Sequence, residues 1–201
     1  MKHIRAAHGD AFCVSVSGYP EGHPAAIKPV AAGEVLSASE AARAITLEDG
    51  SVVVCHDADY AGELAYLKAK VDAGAELIIT QMFFDVQVFL QFVRDCRAAG
   101  ITVPIMPGIM LVQNYGGFKR MIGFCKSRVP PAFAAALDAV KDDEAAVRAA
   151  GVRACVDMCR TLIAEGIKGL HLYTLNLEAG LYAVLKELGL FKPFPEGVTY
   201  D

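Results

Sequence analysis

Most of the residues in this chain that could do chemistry fall in four short strings. Gly18-Tyr19-Pro20-Glu21-Gly22-His23-Pro24 puts a phenol and an imidazole in one loop. Gln81 and Asp85 close an apolar run, Gln113 and Asn114 lie beyond Pro107-Gly108, and Tyr173, Thr174 and Asn176 end another apolar run. Phenols, neutral imidazoles and amides both donate and accept hydrogen bonds, so they can bind a ligand whose edge mixes the two. The first string is no dinucleotide fingerprint, because its two prolines supply no N–H to a pyrophosphate. Each residue also has a blander reading. His23 can be a turn histidine between prolines, Lys70 a helix-surface lysine, Gln81 a partner for loop backbone, and Tyr173 a core tyrosine with its hydroxyl at the rim.

The six cysteines (13, 55, 96, 125, 155 and 159) contain no CxxC pair. Cys155 and Cys159 lie one helical turn apart with no histidine at ligand spacing nearby. Cys55-His56-Asp57 are consecutive, and consecutive strand residues point to opposite faces, so they cannot share one ion. Reduced, buried thiols and no metal site are expected.

Four β-rich runs must position these residues: Phe12–Ser17, Leu77–Phe84, Val103–Ile109 and Leu170–Leu175. They are nearly continuous in apolar residues, the pattern of strands buried on both faces of a parallel sheet. Helical patterns fill the intervals: Glu63–Ala73 stopping at Gly74, Val86–Ala99 stopping at Gly100, Phe118–Lys126, Ala132–Glu165 with a junction at Lys141–Glu144, and Glu178–Leu188. The order β-α-β-α-β-α-α-β-α predicts an α/β fold with a parallel sheet. Residues Ile27–Asp59 interrupt it, with a helix-like Ser39–Ala44, a turn at Asp49-Gly50 and a strand Ser51–Cys55. The tail Phe191–Asp201 reads as irregular. Polar residues at the C-terminal ends of strands are the arrangement of a (β/α)8 barrel. Only four strands are present, half of what a barrel needs.

Composition narrows the classes. The 201 residues are 54% hydrophobic and 21% charged, with net charge −4 and pI about 5.7. That hydrophobicity excludes a disordered tail, and the charge balance disfavours a nucleic-acid surface. No apolar run reaches the ~18 residues of a membrane span. Met1-Lys2-His3-Ile4-Arg5 has no apolar signal core, so a soluble cytoplasmic protein is expected.

The strand-end strings carry a resemblance. Gly18-Tyr19-Pro20-Glu21-Gly22-His23-Pro24, Lys68-Ala69-Lys70-Val71-Asp72-Ala73-Gly74-Ala75 and Ile79-Thr80-Gln81-Met82-Phe83-Phe84-Asp85 resemble methylenetetrahydrofolate reductases, eukaryotic ones in particular. So do Pro104-Ile105-Met106-Pro107-Gly108-Ile109 and His171-Leu172-Tyr173-Thr174-Leu175-Asn176. The similarity runs in order from about Lys2 to Leu190, interrupted only by Ile27–Asp59. It implies a (β/α)8 TIM barrel, here the last four βα units (residues 1–190) with an insertion at 27–59. It also implies FAD as cofactor and NAD(P)H, with NADPH favoured, as hydride source. The substrate would be 5,10-methylenetetrahydrofolate, reduced to 5-methyltetrahydrofolate for methionine synthesis. The full-length form would be a homo-oligomer.

By that resemblance Tyr19, His23, Glu63 and Lys70 are cofactor-binding, with Glu63 standing where the family has an aspartate. Gln81 and Tyr173 are substrate-binding. The family's N-terminal half, with the glutamate that serves as general acid, is expected to be missing, so no catalytic residue is assigned and the chain alone is expected to be inactive. Leu177 stands where the family usually has an arginine. Two other readings stay open. One is a non-catalytic barrel remnant acting as a binding or interaction module, and the other is a different (β/α)8 enzyme with an anionic ligand.

Overall fold

The computed structural model describes residues 1–191. Helix α1 (Lys2–His8) and strand β1 (Ser15–Gly18) open the chain. Next come β2 (Ile27–Pro29), α2 (Ala38–Arg43), β3 (Ile45–Thr46) and β4 (Val52–Cys55), then the long helix α3 (Asp57–Asp72). The remainder alternates: β5 (Leu77–Met82), α4 (Val86–Ala98), β6 (Ile105–Met110), α5 (Tyr115–Cys125), α6 (Pro131–Asp138), α7 (Glu144–Ala164), β7 (His171–Tyr173) and α8 (Glu178–Glu187). No helix among the described residues is long and apolar enough to cross a membrane.

Strands β1, β5, β6 and β7 form one sheet in that order, every pair parallel. Neighbours in space are neighbours in the alternation, with no reversal of the kind that marks a doubly wound sheet. Among the described residues the sheet is open and no closed barrel forms. The expected strands are all present, shifted or shortened at their ends, and the helix junction falls at Val140–Asp143 between α6 and α7. Of the tail 191–201, only Phe191 lies within the described residues.

One expectation is corrected. Strand β6 is buried on both faces at all positions but Met106, whereas β5 is not. Along β5, Ile78, Thr80 and Met82 are buried while Leu77, Ile79 and Gln81 are only half-buried. The buried face carries the helices. A Cβ on Gly18 would come within 2.9 Å of both Ile78 and Phe92 side chains, so β1 lies tight against α4. Phe83 and Phe89 stack at 4.8 Å in the same layer. On the other face Leu77, Ile79 and Met106 keep partial exposure, while Gly108 and Met110 towards the strand end are buried. Continuous apolarity cannot distinguish a strand covered twice from one whose second cover is partial.

Residues 27–59 form a unit of their own. β2, β4 and β3 pair as an antiparallel sheet in that order. Helix α2 starts with a reciprocal cap between Ser37 and Glu40, which satisfies two of the helix's orphan donors. Arg43 pins the unit to α3: its guanidinium lies 4.0 Å from the Tyr60 ring centre and 2.7 Å from Asp57. The excursion expected from the sequence is thus folded, with β2 and β3 in addition.

Candidate functional site

Strand β1 ends at Gly18, and the loop that follows carries Tyr19 and His23. Their rings meet edge-on at 4.8 Å. Gly22, at φ 100°, permits the sharp turn between them, and a Cβ there would strike Cys55 at 2.5 Å. The Ala25 N–H donates to His23 Nδ1 at 3.2 Å. A neutral imidazole accepting at Nδ1 carries its proton on Nε2, and Nε2 has no partner among the described residues.

Helix α3 brings Glu63 and Lys70 to the same strand end. They line one cleft together with Ser17, Gly18 and Tyr19, so three of the four expected cofactor residues meet there. The cleft holds about 10 Å³, room for roughly one water. The Lys70 ammonium donates to the Ser17 carbonyl at 3.0 Å and lies 5.0 Å from the Tyr66 ring centre. Burial lowers its pKa from the usual lysine value, and the Glu63 carboxylate opposes that shift. Ser17 is on the unpaired edge of β1, so this lysine also blocks an edge carbonyl.

The two expected substrate residues sit on the partly exposed face. Gln81 is half-buried near the end of β5, its Oε1 accepting from the Met82 N–H at 2.9 Å. Tyr173, on β7, reaches across β6 and donates to the Thr80 carbonyl at 3.1 Å. The crossing needs Gly108, since a Cβ there would fall 2.2 Å from the Thr80 oxygen and 2.8 Å from the Tyr173 ring. A second cleft, about 40 Å³, joins Tyr173 and Thr174 with Gln113, Asn114 and Leu177. Gln113 Nε2 donates to the Leu177 carbonyl at 2.9 Å. Leu175 and Asn176 both take positive φ, 50° and 62°; the pair makes a tight turn closed by the Leu177 N–H on the Thr174 carbonyl.

Two polar strand-end residues have local roles. Asp85 caps α4 through the Gln87 N–H and Asn114 caps α5 through the Gly117 N–H. Sequence reading missed the residues that fasten the Tyr19–Pro24 loop. Glu21 is buried and accepts from the Arg128 N–H at 3.3 Å. Its carboxyl is pushed up to about 8 by burial, against hydrogen bonds from its own and the Arg128 backbone. The Arg128 guanidinium pairs with Asp85 at 2.9 Å and donates to the Ala44 carbonyl. Lys126 holds the Pro24 and Ile27 carbonyls. A glutamate inside the Gly-Tyr-Pro loop was a visible signal. Lys126 and Arg128 carried none.

A family model described as methylenetetrahydrofolate reductase matches residues 1–189. The chain is 48% identical over 192 residues to methylenetetrahydrofolate reductase (NADH) 1 of Zea mays, covering 96% of this chain and 29% of that protein. It is 35% identical to 5,10-methylenetetrahydrofolate reductase of Escherichia coli K12, covering 89% of this chain and 50% of that protein. The chain therefore spans less than a third of the maize relative and half of the bacterial one. Among solved structures, an uncharacterized protein from Clostridium thermocellum that binds two copies of 5-methyl-5,6,7,8-tetrahydrofolic acid superposes with a TM-score of 0.54 at 12% identity. That superposition covers 92% of this chain and 55% of the other, and it shows a likeness of fold. With the family model spanning all but the last twelve residues, and the strand-end strings gathered at the ends of one parallel sheet, this chain belongs to the methylenetetrahydrofolate reductase family.

Proposed function

We propose that residues 1–190 are the C-terminal half of a (β/α)8 reductase barrel, interrupted at 27–59, and that they contribute its FAD and folate contacts. The observation that carries this reading is the grouping of residues. Tyr19, Glu63 and Lys70 line one cleft with His23 packed on Tyr19, while Gln81 and Tyr173 share the partly exposed face next to it. A parallel sheet that keeps chain order, with one face partly exposed, supports the half-barrel reading, because in a closed barrel that face is filled by side chains from all eight strands.

The donor set fits FAD. A tyrosine hydroxyl, a histidine Nε2–H and a lysine ammonium at one strand end suit a diphosphate and its ribityl chain, and the Glu63 carboxylate can accept from a ribose hydroxyl. The 10 Å³ cleft admits contacts at its rim only. When bound, the flavin supplies a hydride carrier between a reduced nicotinamide and methylenetetrahydrofolate. Gln81 offers an amide donor and acceptor to the pterin edge, and Tyr173 closes the floor beside it. The Clostridium protein of like fold binds 5-methyl-5,6,7,8-tetrahydrofolic acid, which supports folate as the ligand class. The nicotinamide is NADH or NADPH; the maize relative's name specifies NADH, and no described residue of this chain carries the preference for NADPH.

Leu177 favours a second reading, a barrel piece that binds without catalysing. Its backbone carbonyl is held by Gln113, and its exposed side chain cannot hold an anionic or carbonyl group. One experiment separates the two. In a barrel completed with the N-terminal units of a relative, His23→Ala should loosen FAD first. Gln81→Ala should spare FAD and weaken folate-dependent flavin reoxidation, by about 1–3 kcal/mol of transition-state binding. Equal flavin loss from both variants puts Gln81 in the wrong layer. Flavin binding with no reoxidation in the unmutated barrel favours the binding module.

A further inference from the structure

Helix α5 ends on a residue that pays a conformational penalty. Lys126 caps it at φ 50°, ψ 55°, the left-handed region that helix ends normally give to glycine. Its side chain gives the reason. Nζ donates to the Pro24 carbonyl at 2.7 Å and to the Ile27 carbonyl at 3.1 Å, across about a hundred residues of sequence. Between those carbonyls runs the turn that follows His23, in which the Ala26 N–H bonds the His23 carbonyl at 2.8 Å and the Ala25 N–H bonds His23 Nδ1. From the other side, buried Glu21 ties the same loop to the backbone of Arg128, two residues beyond Lys126. One linker therefore grips the loop on both flanks of the imidazole.

We infer that Lys126 is a positioning residue: its ammonium holds the turn that fixes the tautomer and direction of the His23 ring, so that Nε2–H faces outward as a ready donor. The ligand end of this inference rests on the reading of His23 as an FAD contact. The tautomer end does not. Without the ammonium, the Pro24–Ile27 turn loses both anchors, the Ala25 N–H no longer meets Nδ1 reliably, and the two neutral tautomers mix.

The test uses the chain itself, with ¹⁵N-labelled histidine at alkaline pH, where imidazoles are neutral. Long-range ¹H–¹⁵N spectra distinguish protonated from bare ring nitrogens. Wild type should show His23 as a single Nε2–H tautomer. Lys126→Met removes the ammonium and keeps the strained helix end, whereas Lys126→Gly removes the ammonium and relieves the strain, so at least one folded variant is secured. Both should show averaged tautomers, and Lys126→Arg should restore much of the wild-type signature. A wild-type His23 protonated at Nδ1, or a spectrum unchanged in both the Met and Gly variants, overturns the inference. In the completed barrel, Lys126→Met should weaken FAD about five- to tenfold and add nothing in a His23→Ala background. Full additivity there overturns the claim that Lys126 acts through His23. If instead tautomers mix as expected but His23→Ala binds FAD like wild type, the positioning stands and the cofactor reading of His23 falls.

Discussion

At the scale of single residues, the site was legible where chemistry and motif coincide. Tyr19, Glu63 and Lys70 share a cleft because α3 packs along β1, with Glu63 midway along the helix and Lys70 reaching from its last turn to the Ser17 carbonyl. Glu21 was visible as a glutamate in the loop, but its fastening was not legible. Its burial depends on a linker more than a hundred residues away, and no local pattern announces that. It also makes a pH prediction. With the folded carboxyl at about 8 and Asp85 and Arg128 close by, the native state keeps a proton that the unfolded chain gives up near the ordinary carboxylate value. Stability from this group is complete below that ordinary value and is lost as pH rises through about 8. Denaturant midpoints should therefore fall from pH 5 to pH 8.5 in wild type. Glu21→Gln, which keeps the acceptor for Arg128 N–H and carries no charge, should flatten that fall and gain on the order of 2–4 kcal/mol over wild type at the higher pH. Parallel pH profiles for the two proteins would show that Glu21 ionises freely. Glu40, Asp57 and Glu76 have carboxyls held below their usual range, so their contributions are lost at acid pH, outside this window.

Among elements, helical patterns, two of them stopped by glycine, located the major helices, and nearly continuous apolar runs located all four parallel strands. Strands of two or three residues such as β2 and β3 are too short to display alternation, and they exist only through pairing with β4. Close approaches were equally invisible. Helix α7 lies so near the end of β6 that a Cβ on Gly151 would sit 2.0 Å from the Val112 carbonyl. Gly108 is the other such point. Gly108→Ala should cost about 1–3 kcal/mol by overpacking and should also break the Tyr173 bond to Thr80, read as a lowered urea midpoint and a change in tyrosine fluorescence. A neutral Gly108→Ala would mean that Tyr173 does not cross β6 there. The inserted unit has its own weak point. Arg43→Met keeps the apolar stem but removes the donors to Asp57 and to the buried Cys55 carbonyl, at about 1–3 kcal/mol. Hydrogen exchange should speed up first in α2 and β2–β4, with β5 and β6 unchanged. Uniform loss of protection would show that the unit and the parallel sheet unfold together.

On the scale of the whole molecule, an open four-stranded sheet with one partly exposed face has two edges and an apolar surface to cover, features that favour association. Lys70 guards one edge through the Ser17 carbonyl, and nothing comparable among the described residues covers Leu77, Ile79 and Met106 on the open face, which stay half-buried. On the half-barrel proposal, the chain carries one half of a flavin site and the other half is needed to hold the cofactor. The direct measurement is FAD content and affinity of the purified 201-residue chain, compared with the same chain co-expressed with the segment of the maize relative that precedes the matched region. The expected result is a colourless or weakly binding chain alone, and a yellow complex that holds about one FAD per pair and reoxidises on addition of methylenetetrahydrofolate. A yellow, monomeric and active preparation of the chain by itself would contradict the half-site reading.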